Sequence, residues 1–406
     1  ELLRALRVDR VDEEQPRKAT QQYLALLLNR YRFLDFRGMG MADRVALQLP
    51  LVEMYVPLTA RIEMPKGETW GREVLLAGRK ATEEEVAAMG ERLSEPQALL
   101  ELLAKHDGLV ILGDPGAGKT TFLKYVTLCL ALGEDAAVGV AGTLGTRLPI
   151  LVPLSAYATA LAEGDVALDD FLSDYYRKQG VQLPLAALVQ TALASGQALL
   201  MLDGLDEVQA LEQRTLVVER VEQFFAYHRQ QGNKFLLTSR IVGYREVRPV
   251  VDGLAECTLV DFDEDDIADF VDKWSHALER AVKGDTAVAQ QEAETEKAEL
   301  LFAVAHNRGV RQLASNPLLL TILALMKRQG VALPERRVQL YDRYIETLLR
   351  HWNLARGLDR RASRDLDVVE TLRVLAPLAL WMHETSPGVG LVKRLSLIHI
   401  SEPTRL

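Results

Sequence analysis

Short runs of apolar residues alternate through the middle of the chain with segments in which apolar residues recur at helical spacing. The runs fall at residues 109–112, 148–154, 198–202, 234–238 and 257–260. Continuous runs of this length are typical of strands that are buried on both faces, and helices between them favour a parallel arrangement. We therefore predict an α/β fold with a doubly wound parallel sheet over this part of the chain.

The residues before the first run combine an amphipathic segment with irregular sequence. Residues 17–36 carry apolar side chains at helical spacing, which predicts a helix. Pro50 and Pro57 interrupt residues 45–64, which favours extended segments. Residues 65–92 are charged and contain glycines, so they are expected to form a surface linker.

Further helices are predicted on either side of the first apolar run. One spans about 95–105, with Pro96 in its first turn, where proline is tolerated. A second spans 119–131 and ends near Gly133, and a third covers 168–179.

The pattern becomes entirely helical after residue 261. Ile267, Phe270, Val271 and Trp274 are spaced as one face of a helix. A polar stretch at 280–300 is expected to be an exposed helix or loop, and further helices are predicted at 310–329, 335–353 and 367–383.

Composition and charge place the chain among ordinary globular proteins. Hydrophobic residues make up 48%, charged residues 26%, and the net charge of −9 argues against a chain-wide surface for nucleic acid. The two cysteines, Cys129 and Cys257, lie in apolar surroundings and are expected to be core thiols of a protein in the reducing cytoplasm. No apolar run approaches the roughly 18 residues that a membrane span needs.

The first residue is Glu1 and the tail at 395–405, LSLIHISEPTR, resembles a translated sequencing-library adapter. We expect the tail to be an artefact, the alternative being a genuine short strand, and we expect the natural protein to continue beyond both ends. His399 is given no functional role.

The main chemical signal is GLVILGDPGAGKTTFL at 108–123, where an apolar run meets a glycine-rich loop and then a helical pattern. The loop fits the phosphate-binding pattern G-x-x-x-x-G-K-[ST] without a mismatch. Lys119 is expected to reach the β and γ phosphates of a nucleotide, and the Thr120 hydroxyl to bind Mg²⁺. The alternative is a simple strand-to-helix turn. The predicted nucleotide-binding residues are Gly113, Asp114, Pro115, Gly116, Ala117, Gly118, Lys119, Thr120 and Thr121.

A second signal is the acidic end of the apolar run ALLMLD at 198–203. Carboxylates at the end of a buried strand are unfavourable unless a cation meets them, and Mg²⁺ on the nucleotide phosphates is such a cation. Asp203 is the expected metal ligand, and either Glu207 or Asp206 is the expected general base. The alternative is an acidic helix N-terminus that only caps a turn.

A third signal is Arg240, which follows the apolar run KFLLTS. Ligands of open α/β sheets bind at the carboxyl ends of the strands, so Arg240 could contact the γ-phosphate and stabilise the charge of the transition state. The alternative is an arginine that pairs with a surface carboxylate.

Together, GDPGAGKTT, LLMLDGLDEV and FLLTSR resemble the motifs of the NACHT family of signal-transduction ATPases. The stretch SNPLLLTILA at 315–324 is similar to the family segment whose proline lies against adenine, which implies that role for Pro317. Residues 23–40, with MYVPL at 54–58, are similar to the segment that precedes the ATPase in bacterial relatives.

The resemblance implies a cytoplasmic switch rather than a metabolic enzyme. ATP and ADP with Mg²⁺ would be its ligands, ADP holding a closed state and ATP favouring an open state that self-associates. An effector before the ATPase and a trigger-sensing region after it are expected to be missing here, and the winged-helix histidine of the family is not located. Two rival functions are a P-loop kinase or AAA-type motor, and a scaffold that binds nucleotide without turnover.

The resulting domain prediction has five parts. They are an N-terminal segment and linker at 1–92, a NACHT nucleotide-binding domain at 93–260, a helical domain at 261–331, a partial winged-helix region at 332–394 and the artefact at 395–406.

Overall fold

The computed structural model of the 406-residue chain describes residues 2–34, 48–62, 95–133, 139–179, 183–208, 210–328 and 368–385, with a few isolated residues between 333 and 345. The predicted linker at 65–92, most of the predicted helix at 335–353 and the tail at 395–405 lie outside the described residues.

Seven strands form one sheet in the described part of the chain. The strands are β1 (Thr59–Ile62), β2 (Gln97–Ala98), β3 (Gly108–Leu112), β4 (Leu148–Pro153), β5 (Ala198–Asp203), β6 (Lys234–Ser239) and β7 (Leu254–Leu259). All five predicted apolar runs are strands, because each run is long enough to cross the core and too short for a helix.

Helices lie between the strands and after them, and they include helices at 154–163, 185–194, 211–228 and 241–246 that the sequence analysis did not predict. The helices are α1 (Leu2–Tyr31), α2 (Leu51–Met54), α3 (Leu99–Lys105), α4 (Lys119–Leu132), α5 (Val140–Leu144), α6 (Leu154–Glu163), α7 (Leu168–Lys178), α8 (Leu185–Ala194), α9 (Leu211–His228), α10 (Ile241–Glu246), α11 (Glu264–Lys283), α12 (Ala287–His306), α13 (Arg308–Ala314), α14 (Pro317–Arg328) and α15 (Val368–Thr385). Two single turns of 3₁₀ helix lie at Leu205–Glu207 and Arg229–Gln231.

The strand order is β2-β1-β7-β3-β6-β5-β4. The five strands from β7 to β4 are parallel, whereas β1 pairs antiparallel with β7 and β2 pairs antiparallel with β1. The prediction of a parallel sheet is confirmed for the five apolar runs, and the two antiparallel edge strands were not predicted. Residues 59–62 were expected in a separate segment, and they instead extend the central sheet.

Strand β3 lies at the centre of the core. Every one of its five residues is buried. Because successive side chains of a strand point to opposite faces, burial of all five means that both faces of the sheet are covered. The loop that follows β3 consequently starts from a rigid base.

The opposite edge strand, β4, is covered by two tyrosine side chains. The Tyr176 hydroxyl donates to Leu151 O at 2.8 Å and accepts from Leu151 N at 3.2 Å. The Tyr23 hydroxyl of α1 donates to Pro149 O at 2.9 Å. The outward backbone groups of β4 are thus satisfied by side chains.

Several local predictions need correction. Residues 51–54 form the short helix α2 rather than extended chain, and Pro96 precedes β2 instead of lying in a helix. Residues 280–300 belong largely to α11 and α12, which pack against each other and bury Leu278 and Leu300. Polar composition hid this hairpin because α12 buries only four of its side chains, those of Ala289, Ala293, Leu300 and Val304.

The predicted helix at 310–329 is two helices, α13 and α14, that meet at Ser315 and Asn316. Pro317 has no N–H to continue the hydrogen-bond ladder and is well suited to the first position of a new helix. Helix α15 agrees with the prediction at 367–383 to within two residues.

Cys129 in α4 and Cys257 in β7 are both buried free thiols, which confirms their placement in the core. Burial raises the pKa of each thiol, so both are kept protonated and unreactive. Among the described helices, none combines the length and apolar character that crossing a bilayer requires.

Candidate nucleotide site

The glycine-rich loop joins the carboxyl end of β3 to the N-terminus of α4. Gly116 and Gly118 have φ angles of +79° and +92°, a region that L-residues other than glycine rarely adopt. Gly118 is the N-cap of α4, so the unpaired N–H groups of the helix start open into the loop. This geometry suits a bound phosphate.

Lys119 bends back over the loop. Its Nζ donates to Gly113 O at 2.8 Å and to Asp114 O at 3.0 Å. Burial lowers the pKa of this ammonium, while the Asp206 carboxylate raises it and Arg240 lowers it. A half-buried cation beside helix N–H groups provides the charge that phosphate oxygens need.

Two threonine hydroxyls converge on the Asp203 carboxylate at the end of β5. Thr120 Oγ1 donates to Asp203 Oδ2 at 2.9 Å, and Thr238 Oγ1 of β6 donates to Asp203 Oδ1 at 2.6 Å. Thr238 Oγ1 also accepts from Gly204 N at 2.8 Å. The carboxylate is therefore fixed from the loop and from the neighbouring strand.

The residues present fit a magnesium ion. Mg²⁺ prefers hard oxygen ligands, usually one or two from the protein, and retains several waters. The Thr120 hydroxyl and the Asp203 carboxylate supply two such oxygens within hydrogen-bond distance of each other.

Asp206 and Arg240 form an ion pair next to this site. Arg240 Nε lies 2.9 Å from Asp206 Oδ2, and the Arg240 backbone N donates to Asp206 Oδ1 at 2.9 Å. Asp206 is largely buried, and a Cβ on Gly243 of α10 would lie only 2.7 Å from Asp206 Cβ. Both carboxylate oxygens of Asp206 are therefore engaged by the start of α10.

Glu207 is the third acid of the cluster. No hydrogen bond or ion pair to its carboxylate occurs among the described residues, and its Cδ lies over Gly204, 2.9 Å from where a Cβ would be. Burial raises its pKa, and the neighbouring Asp203 and Asp206 carboxylates raise it further. Such a group holds a proton more readily than an ordinary glutamate.

A cavity of about 290 Å³ opens between the loop, the segment before the sheet and the helical region. Loop residues 116–121 form one wall of it. Phe33, Leu34, Tyr55, Val56 and Leu58 form an apolar wall, and Phe262, Phe270, Pro317, Leu318 and Thr321 form another. A polar end with apolar walls matches the chemistry of a nucleotide, which has phosphates at one end and a flat base at the other.

The loop is also held by its flanking elements. A Cβ on Gly116 would lie 2.7 Å from Leu318 Cβ, and a Cβ on Gly118 would lie 3.2 Å from Leu58 Cδ1. Asn316 Nδ2 donates to Pro115 O at 3.1 Å, and Leu318 N donates to Gly116 O at 3.2 Å. The start of α14 is thus bonded directly to the loop.

The structure brings together nearly all the residues that the sequence nominated. The Gly113 and Asp114 carbonyls accept hydrogen bonds from Lys119 Nζ, and the Pro115 carbonyl accepts one from Asn316 Nδ2. Pro317 lines the cavity. Asp203 lies against Thr120 as expected, whereas Arg240 pairs with Asp206. The roles assigned to these residues remain predictions.

Sequence reasoning missed several residues of the site. Thr238 was noted only as part of an apolar run, Asn316 lay in the noted SNPLLLTILA stretch without a role of its own, and Phe262 was given no role. Leu58 lay in the noted MYVPL segment, and that segment was the available signal for an apolar wall.

A family model for the NACHT domain matches residues 107–278. The match begins at the start of β3, includes the whole parallel part of the sheet and ends within α11. No protein among the curated sequences matches the chain. The match and the geometry together support a nucleotide-binding P-loop NTPase of the NACHT family.

Proposed function

We propose that this NACHT domain binds ATP with Mg²⁺, hydrolyses it slowly and acts as a molecular switch. The observation that carries the proposal is the Thr120–Asp203 hydrogen bond, which joins the phosphate-binding loop to the acidic strand end. In P-loop NTPases these are the two positions that hold the metal of the nucleotide. Thr120 and Asp203 would hold Mg²⁺, which would neutralise charge on the phosphate oxygens.

Glu207 is the better supported of the two candidate bases. A general base is most effective when its pKa lies near the working pH, and burial together with Asp203 and Asp206 raises the pKa of Glu207 in that direction. Asp206 is engaged through both oxygens by Arg240, so it has less freedom to accept a proton from water.

The Arg240–Asp206 pair supports slow turnover. An arginine that stabilises transferred phosphate must direct its guanidinium at the γ-phosphate. Here Arg240 Nε and the backbone N of Arg240 both bond to Asp206, which holds the side chain beside that acid and leaves the Nη groups as the donors that a phosphate could meet. A change of conformation that frees Arg240 would accelerate hydrolysis.

The switch part of the proposal rests on the walls of the cavity. Residues from the segment before the sheet, from the loop and from the helical region all line it, so a ligand there contacts all three. A ligand shifts a conformational equilibrium when it contacts the two states differently. By the family resemblance, we propose that ADP favours a closed state of the protein and that ATP favours an open state that self-associates.

The biological setting is part of the same proposal. The resemblance favours a cytoplasmic signalling or antiphage defence protein of bacterial type, with its trigger and its effector in regions beyond the described residues. Neither a membrane nor nucleic acid is proposed as a partner.

ATP binding and phosphate release by the wild type, Lys119→Ala and Glu207→Gln test the proposal, with the exposed Lys105→Ala on α3 as control. Loss of the Lys119 charge should weaken nucleotide binding by about 10- to 100-fold, since hydrogen bonds to charged groups contribute about 1.5–3 kcal/mol. Glu207→Gln should retain binding and lose turnover, and Lys105→Ala should match the wild type.

The same experiment separates the rival functions. Phosphate release that requires an added acceptor would indicate a kinase. Nucleotide binding with phosphate release that stays at background level in both the wild type and Glu207→Gln would indicate a scaffold that does not hydrolyse nucleotide. If Lys119→Ala left nucleotide affinity untouched, the site assignment would be wrong.

A further inference from the structure

The start of α14 is the point where the helical region meets the phosphate-binding loop. Three hydrogen bonds hold this junction. Asn316 Nδ2 donates to Pro115 O at 3.1 Å, Leu318 N donates to Gly116 O at 3.2 Å and Phe262 N donates to Ser315 O at 2.9 Å. The junction is thus tied to the loop on one side and to the chain leaving β7 on the other.

The side chain of Asn316 performs two tasks at once. Its Oδ1 accepts from Leu318 N at 3.1 Å and from Leu319 N at 3.2 Å, which caps α14. Its Nδ2 donates to the loop carbonyl. These partners fix the amide orientation, because the opposite orientation would set an NH₂ group against two N–H donors and an oxygen against a carbonyl.

Close packing makes the contact rigid. Leu318 Cβ and Asn316 Oδ1 lie 2.7 Å and 2.9 Å from the position that a Cβ on Gly116 would occupy. Pro317, between them, lines the cavity. Any shift of the loop backbone at residues 115–116 is therefore transmitted to the first turn of α14 through direct contact.

We propose that Asn316 is a positioning residue that couples nucleotide at the phosphate-binding loop to the placement of α14. The inference rests on the proposed nucleotide function. Because Asn316 joins the loop carbonyl to the helix cap, nucleotide that orders the loop also orders α14, and displacement of α14 weakens the nucleotide site. Thermodynamic linkage requires both effects to have the same size.

Asn316→Ser separates the two tasks. Serine caps a helix about as well as asparagine, but its hydroxyl is too short to cap the helix and reach Pro115 O together. The matched control is Asn307→Ser, since Asn307 Oδ1 caps α13 by accepting from Gly309 N at 2.9 Å and Val310 N at 3.2 Å. Asn307 lies outside the cavity lining.

The first measurement is ADP affinity of the full 406-residue chain with Mg²⁺. Asn316→Ser should raise the Kd by about 2- to 10-fold, the range that corresponds to the net contribution of one hydrogen bond. Asn307→Ser should bind as the wild type does.

The second measurement is backbone hydrogen exchange with and without MgADP. In the wild type, nucleotide should slow exchange at 113–121 and also at 317–328. In Asn316→Ser the slowing should persist in the loop and be lost in α14. A residue that only capped the helix would speed exchange in α14 equally in both conditions and leave the nucleotide effect unchanged.

Asn316→Asp provides a second variant if the serine protein does not fold. Aspartate keeps the cap but cannot donate to Pro115 O, and hydrogen exchange is its readout because its charge also repels phosphate. The inference is overturned if the wild type shows no nucleotide-induced slowing in α14, or if the variants keep that slowing in full. Absence of MgADP binding by the wild type would overturn the proposed function, whereas normal binding with unaltered coupling in the variants would overturn this inference alone.

Discussion

The Asp203 carboxylate shows how single side chains prepare the site. Its charge faces the loop from the end of a buried strand, and among the described residues its hydrogen bonds come from the hydroxyls of Thr120 and Thr238. Because Thr238 is 1% exposed and also accepts from Gly204 N, its hydroxyl ties the acidic turn to β6.

Thr238→Val should therefore destabilise the protein and disturb the metal site. Valine has nearly the same shape but leaves Gly204 N and one carboxylate oxygen without their partner, a loss of about 1–3 kcal/mol. Denaturant unfolding should show this loss, and Mg²⁺-dependent ATP binding should weaken in parallel. Thr127→Val is the control, since Thr127 is equally buried and its hydroxyl donates only within its own helix and towards Met201. Equal losses in both variants would contradict the special role of Thr238.

Glu207 gives a prediction about pH. Its pKa is raised in the folded state by burial and by the Asp203 and Asp206 carboxylates, so the folded state resists its ionisation. Glu207→Gln should then raise Tm relative to the wild type at pH 8, where the wild-type carboxylate is charged. The gain should disappear below the pKa of the unfolded state, where the wild-type group is protonated in both states. Thermal melts at pH 8 and pH 4 would measure it, and a gain that grew on acidification would contradict the assignment.

For single side chains, the sequence predicted which residues belong to the site better than it predicted which residues they contact. Lys119, Thr120 and Asp203 could be predicted because one motif places a cation and a hydroxyl on one loop, and a strand end places the acid nearby. The pairing of Arg240 with Asp206 could not, because it depends on Gly243 of α10 allowing a close approach that no local pattern specifies.

Among the elements, the phosphate-binding loop is confined from both sides. Leu318 at the start of α14 and Leu58 before β1 lie against Gly116 and Gly118. A glycine is required at 116 for two separate reasons, its positive φ and the absence of room for a Cβ.

Gly116→Ala and Gly232→Ala separate these two reasons. Gly232 has a left-handed φ of +94° but nothing within 4 Å of a Cβ, so its variant bears only the backbone strain, about 1–2 kcal/mol. Gly116→Ala adds a clash at 2.7 Å with Leu318 Cβ and should push α14 away from the loop. We expect greater destabilisation and a loss of ATP affinity for Gly116→Ala alone. Similar behaviour of the two variants would mean that α14 does not confine the loop.

Elements with a strong single pattern were predictable, and those defined by tertiary contact were not. The parallel strands follow from apolar runs such as 198–202, and α4 from its glycine boundaries. Strand β2 has only two residues, and its pairing with β1 depends on residues that are about 40 positions apart in the chain. The break between α13 and α14 was missed because the apolar spacing continues through it.

At the scale of the whole molecule, α1 is part of the central core. Its buried residues Ala19, Tyr23, Leu27 and Tyr31 recur every fourth position, and Tyr23 packs edge-on against Tyr176 with ring centroids 5.3 Å apart. The predicted division at residue 92 therefore does not separate independent hydrophobic cores among the described residues.

Tyr23→Ala should lower the stability of the entire unit by about 3–5 kcal/mol, as for other large aromatic side chains removed from a core. Unfolding monitored by circular dichroism and by MgADP binding should shift together. Tyr227→Ala is the control, because Tyr227 is 68% exposed on α9. If Tyr23→Ala melted α1 alone and left nucleotide binding at its normal temperature, α1 would be a separate folding unit.

The tyrosines on β4 have a consequence for assembly. An exposed edge strand is a template for pairing with another chain, and proteins commonly block such edges. At β4 the block consists of Tyr23 and Tyr176 hydroxyls on the backbone, with Pro149 and Pro153 removing two N–H donors. Backbone pairing between the β4 edge and a strand of another copy is therefore disfavoured, so a copy that approached this edge would meet side chains rather than free backbone hydrogen-bonding groups.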